Sequence, residues 1–174
     1  MKQPKLVISR VRFDTGQIAA ALHVSPDEVL EAFRDGRGAW PFSEMWGKTL
    51  YEFIKHSNSN KPLSDGLVAL EQLRDFKISV KALTRNGVKF QQSKDVGFGR
   101  TSTKDGLLIS LEACDRVIVV DVTEFPVVAF LPLDTTRLVS AVHKGVLGVT
   151  GFTKERLYRW LDDTYEASRI DLAI

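Results

Sequence analysis

A single cysteine, Cys114, stands in a chain of 174 residues, which excludes an intrachain disulfide and a zinc site built from cysteines. Three histidines, His23, His56 and His143, lie too far apart for a zinc-binding helix. No apolar run approaches the ~20 residues of a bilayer-spanning helix. The first twelve residues lack the uninterrupted apolar stretch of a signal peptide, so a reducing cytoplasm is the expected setting. There is no nucleophile elbow, and the glycines Gly97 and Gly99 do not follow a strand in the dinucleotide-binding pattern. Serine-hydrolase and Rossmann chemistry are therefore not expected.

What is present suits a chain with a real core: 44% of residues are apolar and 26% charged. The net charge of +2 is unevenly spread. Residues 41–100 carry ten basic against six acidic side chains, whereas residues 101–174 carry eight against eleven. The positive excess thus sits mid-chain, where a phosphate backbone would be a suitable partner.

Lys5–Phe13 reads as a short strand or an ordered arm. Thr15 can cap a helix over Gln17–Leu22, and Ser25-Pro26 opens a second through Phe33, with Asp27 and Glu28 at its positive end. Ala19, Leu22, Val24, Val29 and Ala32 fall at the spacing by which two such helices pack, so the segment resembles a helix-turn-helix unit. His23 stands where that motif usually has glycine, and acidic residues line the second helix. The glycine-rich stretch 36–41 is the expected boundary between a helical module, residues 1–40, and an α/β domain, residues 41–174. Phe42–His56 has the stripe of an amphipathic helix. Later come a helix over Asp105–Asp115, a strand Val117–Val122, its partner Pro126–Leu133, a helix capped by Asp134, and a last helix Thr153–Leu161. The tail beyond Asp162 is expected to fray.

Ser64–Arg100 carries the chemistry. Phe76–Leu83 alternates as a strand, Lys77, Ser79 and Lys81 on one face and Ile78 and Val80 on the other. A turn at Glu71–Asp75 joins it to Leu67–Leu70 and sets Asp65 toward the Ser79–Lys81 end. Asn86-Gly87 signals a type I′ hairpin. That register puts Arg85 opposite Val88, Leu83 opposite Phe90 and Lys81 opposite Gln92, so that Asp65, Lys81 and Gln92 converge at one sheet edge. A rival pair, Asp75 and Lys77, sits by the turn, ~15 Å from the Asp65 end at ~3.3 Å per residue, too far to share one ion.

Helix, three antiparallel strands, helix, strand, with an aspartate at the start of the first paired strand and a lysine inside the second, resembles the PD-(D/E)xK nuclease superfamily of restriction endonucleases over about Phe42–Val122. The motif reads Lys61-Pro62-Leu63-Ser64-Asp65-Gly66, then Ser79-Val80-Lys81. The proline stands three residues before Asp65. Ser79 stands where the pattern has an acid, as in Ser-x-Lys variants that recover the carboxylate further along the chain. Asp95 is placed for that role, with Glu52 or Glu44 on the preceding helix as alternatives.

The resemblance implies a restriction-endonuclease-like α/β core, a mixed sheet with an antiparallel meander flanked by helices, carrying the N-terminal helical pair. It further implies Mg2+-dependent, sequence-specific cleavage of double-stranded DNA by a type II enzyme acting as a homodimer, with a cognate DNA methyltransferase as companion and no membrane partner. Asp65, the Val80 carbonyl and either Asp95 or Glu52 would hold the ion. Lys81 would orient the attacking water, with Gln92 holding water or phosphate. Arg85, Lys89, Lys94 and Arg100 would contact the DNA backbone. The competing expectation is a non-catalytic DNA-binding regulator built on the helix-turn-helix-like unit.

Overall fold

The computed structural model describes residues 3–34, 43, 45, 53–55, 66–68, 76–91 and 102–172. Its centre is a mixed seven-stranded sheet in the order β2-β3-β4-β5-β6-β1-β7. The strands are β1 (Lys5–Arg12), β2 (Phe53–Lys55), β3 (Gly66–Val68), β4 (Lys77–Leu83), β5 (Arg116–Asp121), β6 (Val127–Asp134) and β7 (Glu166–Leu172). The helices are α1 (Thr15–Leu22), α2 (Pro26–Arg34), α3 (Lys104–Glu112), α4 (Thr135–His143) and α5 (Lys154–Thr164). Neighbouring strands are antiparallel except for β4 with β5 and β1 with β7.

Alternation along the strands separates two cores. On one face Ile78, Val80, Ile118, Val120 and Val128 pack with Ala19 of α1 and Val29 of α2. Phe33 of α2 stacks on Phe125 with ring centroids 4.5 Å apart, and Arg34 donates to the Phe125 carbonyl. On the other face Leu83, Val117, Val119, Leu131 and Leu133 meet Leu107 and Leu111 of α3, Leu138 of α4 and Leu157 and Trp160 of α5. The run Val117–Val120 is buried on both faces, as a mid-sheet strand requires.

Local signals set the helix ends. Ser25 and Glu28 close a capping box at the start of α2: the Ser25 N–H donates to Glu28 at 2.8 Å and the Glu28 N–H donates to Ser25 Oγ at 3.2 Å. The Asp134 side chain caps α4 by accepting from the Thr136 N–H at 3.0 Å. Asp14, not Thr15, caps α1. His23 ends α1 in the left-handed region, with φ 55°.

The structure departs from the sequence expectations in four places. Leu22 and Val24 are exposed rather than packed between the two helices, because the pair turns its buried residues toward the sheet. Residues 53–55, expected within a helix, form β2, where pairing with β3 overrides the helical periodicity. The tail expected to fray forms β7, held by backbone pairing with β1. The fourth departure, one of register, is the largest. No strand follows the Asn86-Gly87 turn beside β4, since β5 occupies that edge and sets Lys81 level with Val119 instead of Gln92. The antiparallel meander is therefore β2-β3-β4, one strand earlier than expected, and α3 then leads to β5 parallel to β4.

Candidate active site and nucleic-acid interface

β4 aims Lys77, Ser79 and Lys81 to the same face as Leu83, the face covered by α3, α4 and α5. Ser79 is buried, Lys81 half-buried and Lys77 exposed. The Lys81 Nζ donates to the Gln91 carbonyl at 3.3 Å. Gln91 is buried and its Nε2 donates to the Thr103 carbonyl at 3.0 Å. Thr103 in turn caps α3, its Oγ1 accepting from the Gly106 N–H. The lysine is thus linked through Gln91 to Thr103, the residue that caps the positive end of α3.

The Gln91 side-chain oxygen, Oε1, is buried without a hydrogen-bond donor among the described residues. Such an orphan acceptor costs about 1–3 kcal/mol, which a bound donor or cation would recover.

Gly66 pairs with Ile78 and Leu67 with Lys77, so β3 runs antiparallel to β4. Asp65 lies outside the described residues, as do Glu52, Gln92, Lys94, Asp95 and Arg100, and the alternative Glu44. Of the expected site, the structure places Val80, Lys81, Arg85 and Lys89. Among the described residues no group of three or more His, Cys, Asp or Glu side chains is arranged to hold a metal ion. The oxygens on the Lys81 face, the Ser79 hydroxyl and the Gln91 carbonyl and amide, are hard but neutral, and suit Mg2+ only beside a carboxylate. The fit of the ion therefore rests on the expected carboxylates, Asp65 with Asp95 or Glu52, which lie outside the described residues.

Arg85 and Lys89 are exposed, but not in the expected register. Thr84 and Gly87 exchange backbone hydrogen bonds of 3.3 and 2.9 Å, so Arg85 and Asn86 form the turn and Arg85 does not face Val88. Only Gly87 in the turn takes positive φ, at 85°, which a type I turn with a glycine bulge requires and a type I′ turn does not match. Val88 then bridges to Phe152, carrying Lys89 to the start of α5.

Beside that junction, α4 and α5 border a cavity of about 660 Å3 whose lining includes Arg137, Lys144, Arg156, Arg159 and Asp163. Four cations face one carboxylate. Arg156 is braced by donating to the Val146 carbonyl at 2.7 Å and by lying over the Phe152 ring. Lys144 and Arg159 make no ion pair or side-chain hydrogen bond among the described residues. Residues 101–174 are acidic in sum, so charge counting missed this groove. The helical spacing of Arg156 and Arg159 was the signal available.

A second cavity, of about 650 Å3, lies between the β1 side of the sheet and α5. At its floor, buried Asp121 accepts from the Thr123 N–H and Oγ1 at 2.9 and 2.6 Å and from the Tyr158 hydroxyl at 2.8 Å. Burial, then the charge and hydrogen bond of Asp121, push the Tyr158 hydroxyl well above the usual tyrosine range. Lys154 and Glu124 pair at the rim.

The chain was compared with protein-family models, with curated proteins and with solved structures, and no match was found in any of the three.

Proposed function

We propose that this chain is a metal-dependent, sequence-specific endonuclease that hydrolyses double-stranded DNA, a type II restriction enzyme of the PD-(D/E)xK superfamily in its Ser-x-Lys form. The observation that carries the reading is the position of Lys81. It lies half-buried in the last strand of the meander β2-β3-β4, one step before the helix that leads to the parallel strand β5. As in the element order on which the resemblance rests, the lysine's strand comes next after β3, which follows Asp65 in the sequence, and a helix and a further strand come after it. Lys81 lies, however, in the last strand of the meander and not in the middle one.

In this reading Asp65, with the Val80 carbonyl and either Asp95 or Glu52, holds Mg2+. When bound, such an ion would supply charge neutralisation at the phosphate and a more acidic water. Lys81 orients the attacking water and stabilises charge developing on the phosphate, its ammonium kept in place by the Gln91 carbonyl. Gln92 would hold water or phosphate, and Lys94 and Arg100 would contact the DNA backbone. Arg85 and Lys89 carry the DNA backbone toward the cationic groove of Arg156 and Arg159. A homodimer that cuts both strands, and a companion methyltransferase, belong to the same proposal, as does a cytoplasmic location.

The regulator reading has less to support it. Asp27, Glu28 and Glu31 crowd the outward part of α2, and phosphates would repel them. No helix among the described residues is long and apolar enough to cross a membrane.

Incubation of the purified protein with unmethylated plasmid and phage DNA in Mg2+ tests the proposal. Discrete fragments, abolished by EDTA, are expected. Intact DNA across several salt concentrations and substrates would contradict it.

A further inference from the structure

β7 ends the sheet. Its inner edge pairs with β1 from Lys5↔Glu166 to Val11↔Leu172. Its outer edge has no strand partner among the described residues. All seven of its side chains are exposed. Ile170 and Leu172 are 47% and 37% exposed, and Val7 on the neighbouring strand is 43% exposed. Ser168 is level with Val7 and Ile170 with Ser9, so Val7, Ile170 and Leu172 share one face and form an uncovered apolar strip.

Several of the usual protections of a sheet edge are missing. β7 carries no proline and no lysine, and its register with β1 is unbroken by a bulge over seven residues, leaving the charges of Glu166, Arg169 and Asp171 as its guard. Such an edge is a template for another strand, and its sequence, Glu166-Ala167-Ser168-Arg169-Ile170-Asp171-Leu172, matches itself. An antiparallel pairing centred on Ile170 sets Arg169 opposite Asp171 of the second copy, twice, with Ile170 against Ile170 and Ser168 against Leu172. Centring on Arg169 or on Asp171 would instead oppose like charges, which sheets disfavour.

We infer that the outer edge of β7 is a docking surface for a second copy of this chain, joined by a twofold antiparallel β7–β7 pairing centred on Ile170. The interface is isologous and closes at two subunits. It carries the backbone hydrogen bonds of strand addition, two Arg169–Asp171 ion pairs and the apolar strip. Asp171 also forms an ion pair with Arg10 of its own chain at 3.3 Å, and its exposed carboxylate has a second oxygen for the partner.

The pairing does not rest on the nuclease reading, but it has a consequence for it. Nine strand spacings of ~4.8 Å separate the two copies of Lys81, on the order of 43 Å, whereas four base pairs span only ~14 Å. A β7 dimer therefore holds two separate duplex segments, not the two strands of one cleavage site.

Sedimentation equilibrium of the full chain, with circular dichroism to check folding, tests the inference. The wild type is expected to dimerise at tens of micromolar. Arg169→Asp and Asp171→Arg should each weaken dimerisation at least about tenfold, by opposing like charges. The double variant should recover to within about threefold of wild type, because the swap restores both pairs. Ile170→Asp sets two like charges against each other at the centre of the pairing and should give a monomer. A wild-type monomer at about 100 µM overturns the inference. So does a dimer indifferent to these changes, or a double variant no tighter than the single ones. Each of these outcomes leaves DNA cleavage, and the separate dimer proposed for it, open to their own assays.

Discussion

Val88 and Phe152 exchange both of their backbone hydrogen bonds, at 2.9 and 3.0 Å, and so lock the turn after β4 to the start of α5. The approach is so close that a Cβ on Gly151 would run into the Val88 carbonyl, and one on Gly87 into the Phe152 carbonyl. Both glycines have positive φ. Gly151→Ala is expected to destabilise the fold by roughly 2–4 kcal/mol, from backbone strain and overlap together. Urea denaturation measures it, and a loss below ~0.5 kcal/mol would show that the junction is loose.

The groove beside that junction should bind DNA through phosphates. Arg159→Ala removes a cation that supports nothing else among the described residues, so folding should be unchanged. DNA affinity should fall severalfold, about equally for all sequences, and the slope of log K against log salt should become shallower by about 0.9. Fluorescence anisotropy over a salt series reads both quantities. An unchanged slope would remove Arg159 from the interface.

Asp134 ties the β5–β6 pair by its ion pair with Arg116. Burial raises its carboxyl, but hydrogen bonds from Thr136 and Arg116 and the Arg116 charge outweigh that and hold it below the usual carboxylate range. The folded state thus gives up this proton more readily than the unfolded chain. Its stabilisation is present above about pH 4 and is lost as the pH falls through the depressed folded value. Wild-type stability should therefore decline more steeply below pH 4 than that of Asp134→Asn. Parallel acid titrations of the two proteins, with equal slopes, would contradict this.

Tyr158 works at the opposite end of the pH scale. Its raised folded value means stability that is present below about pH 10 and is lost as the pH climbs further. Tyr158→Phe should abolish that alkaline decline. At neutral pH it should cost about 1–3 kcal/mol, by leaving buried Asp121 Oδ2 without its hydroxyl donor. Thermal unfolding at pH 7 and at pH 10.5 separates the two effects.

Period and capping made much of the fold legible. The alternation of β4, the apolar run of β5 and the Ser25-Pro26 and Asp134 starts are local signals, and each lies within a residue or two of its expected place. Two elements were not legible for a shared reason. β2 and β7 are made by pairing with strands far away in sequence, and neither segment's own pattern demands extended structure. The hairpin failed differently. Asn86-Gly87 correctly marked a turn, but the choice between a type I′ turn and a glycine bulge is set by what receives the chain afterwards, and Phe152 receives it. Lys81 was legible as a strand residue. Its partner was not, because Gln91 reaches it from a loop.

The central claim is that Lys81 acts on the scissile phosphate. Single-turnover cleavage by Lys81→Ala in Mg2+, alongside DNA binding and the unfolding temperature, tests it most directly. The account predicts a cleavage rate at least ~100-fold below wild type, with DNA affinity within about threefold and the fold intact. Cleavage at the wild-type rate by a folded Lys81→Ala protein would contradict it.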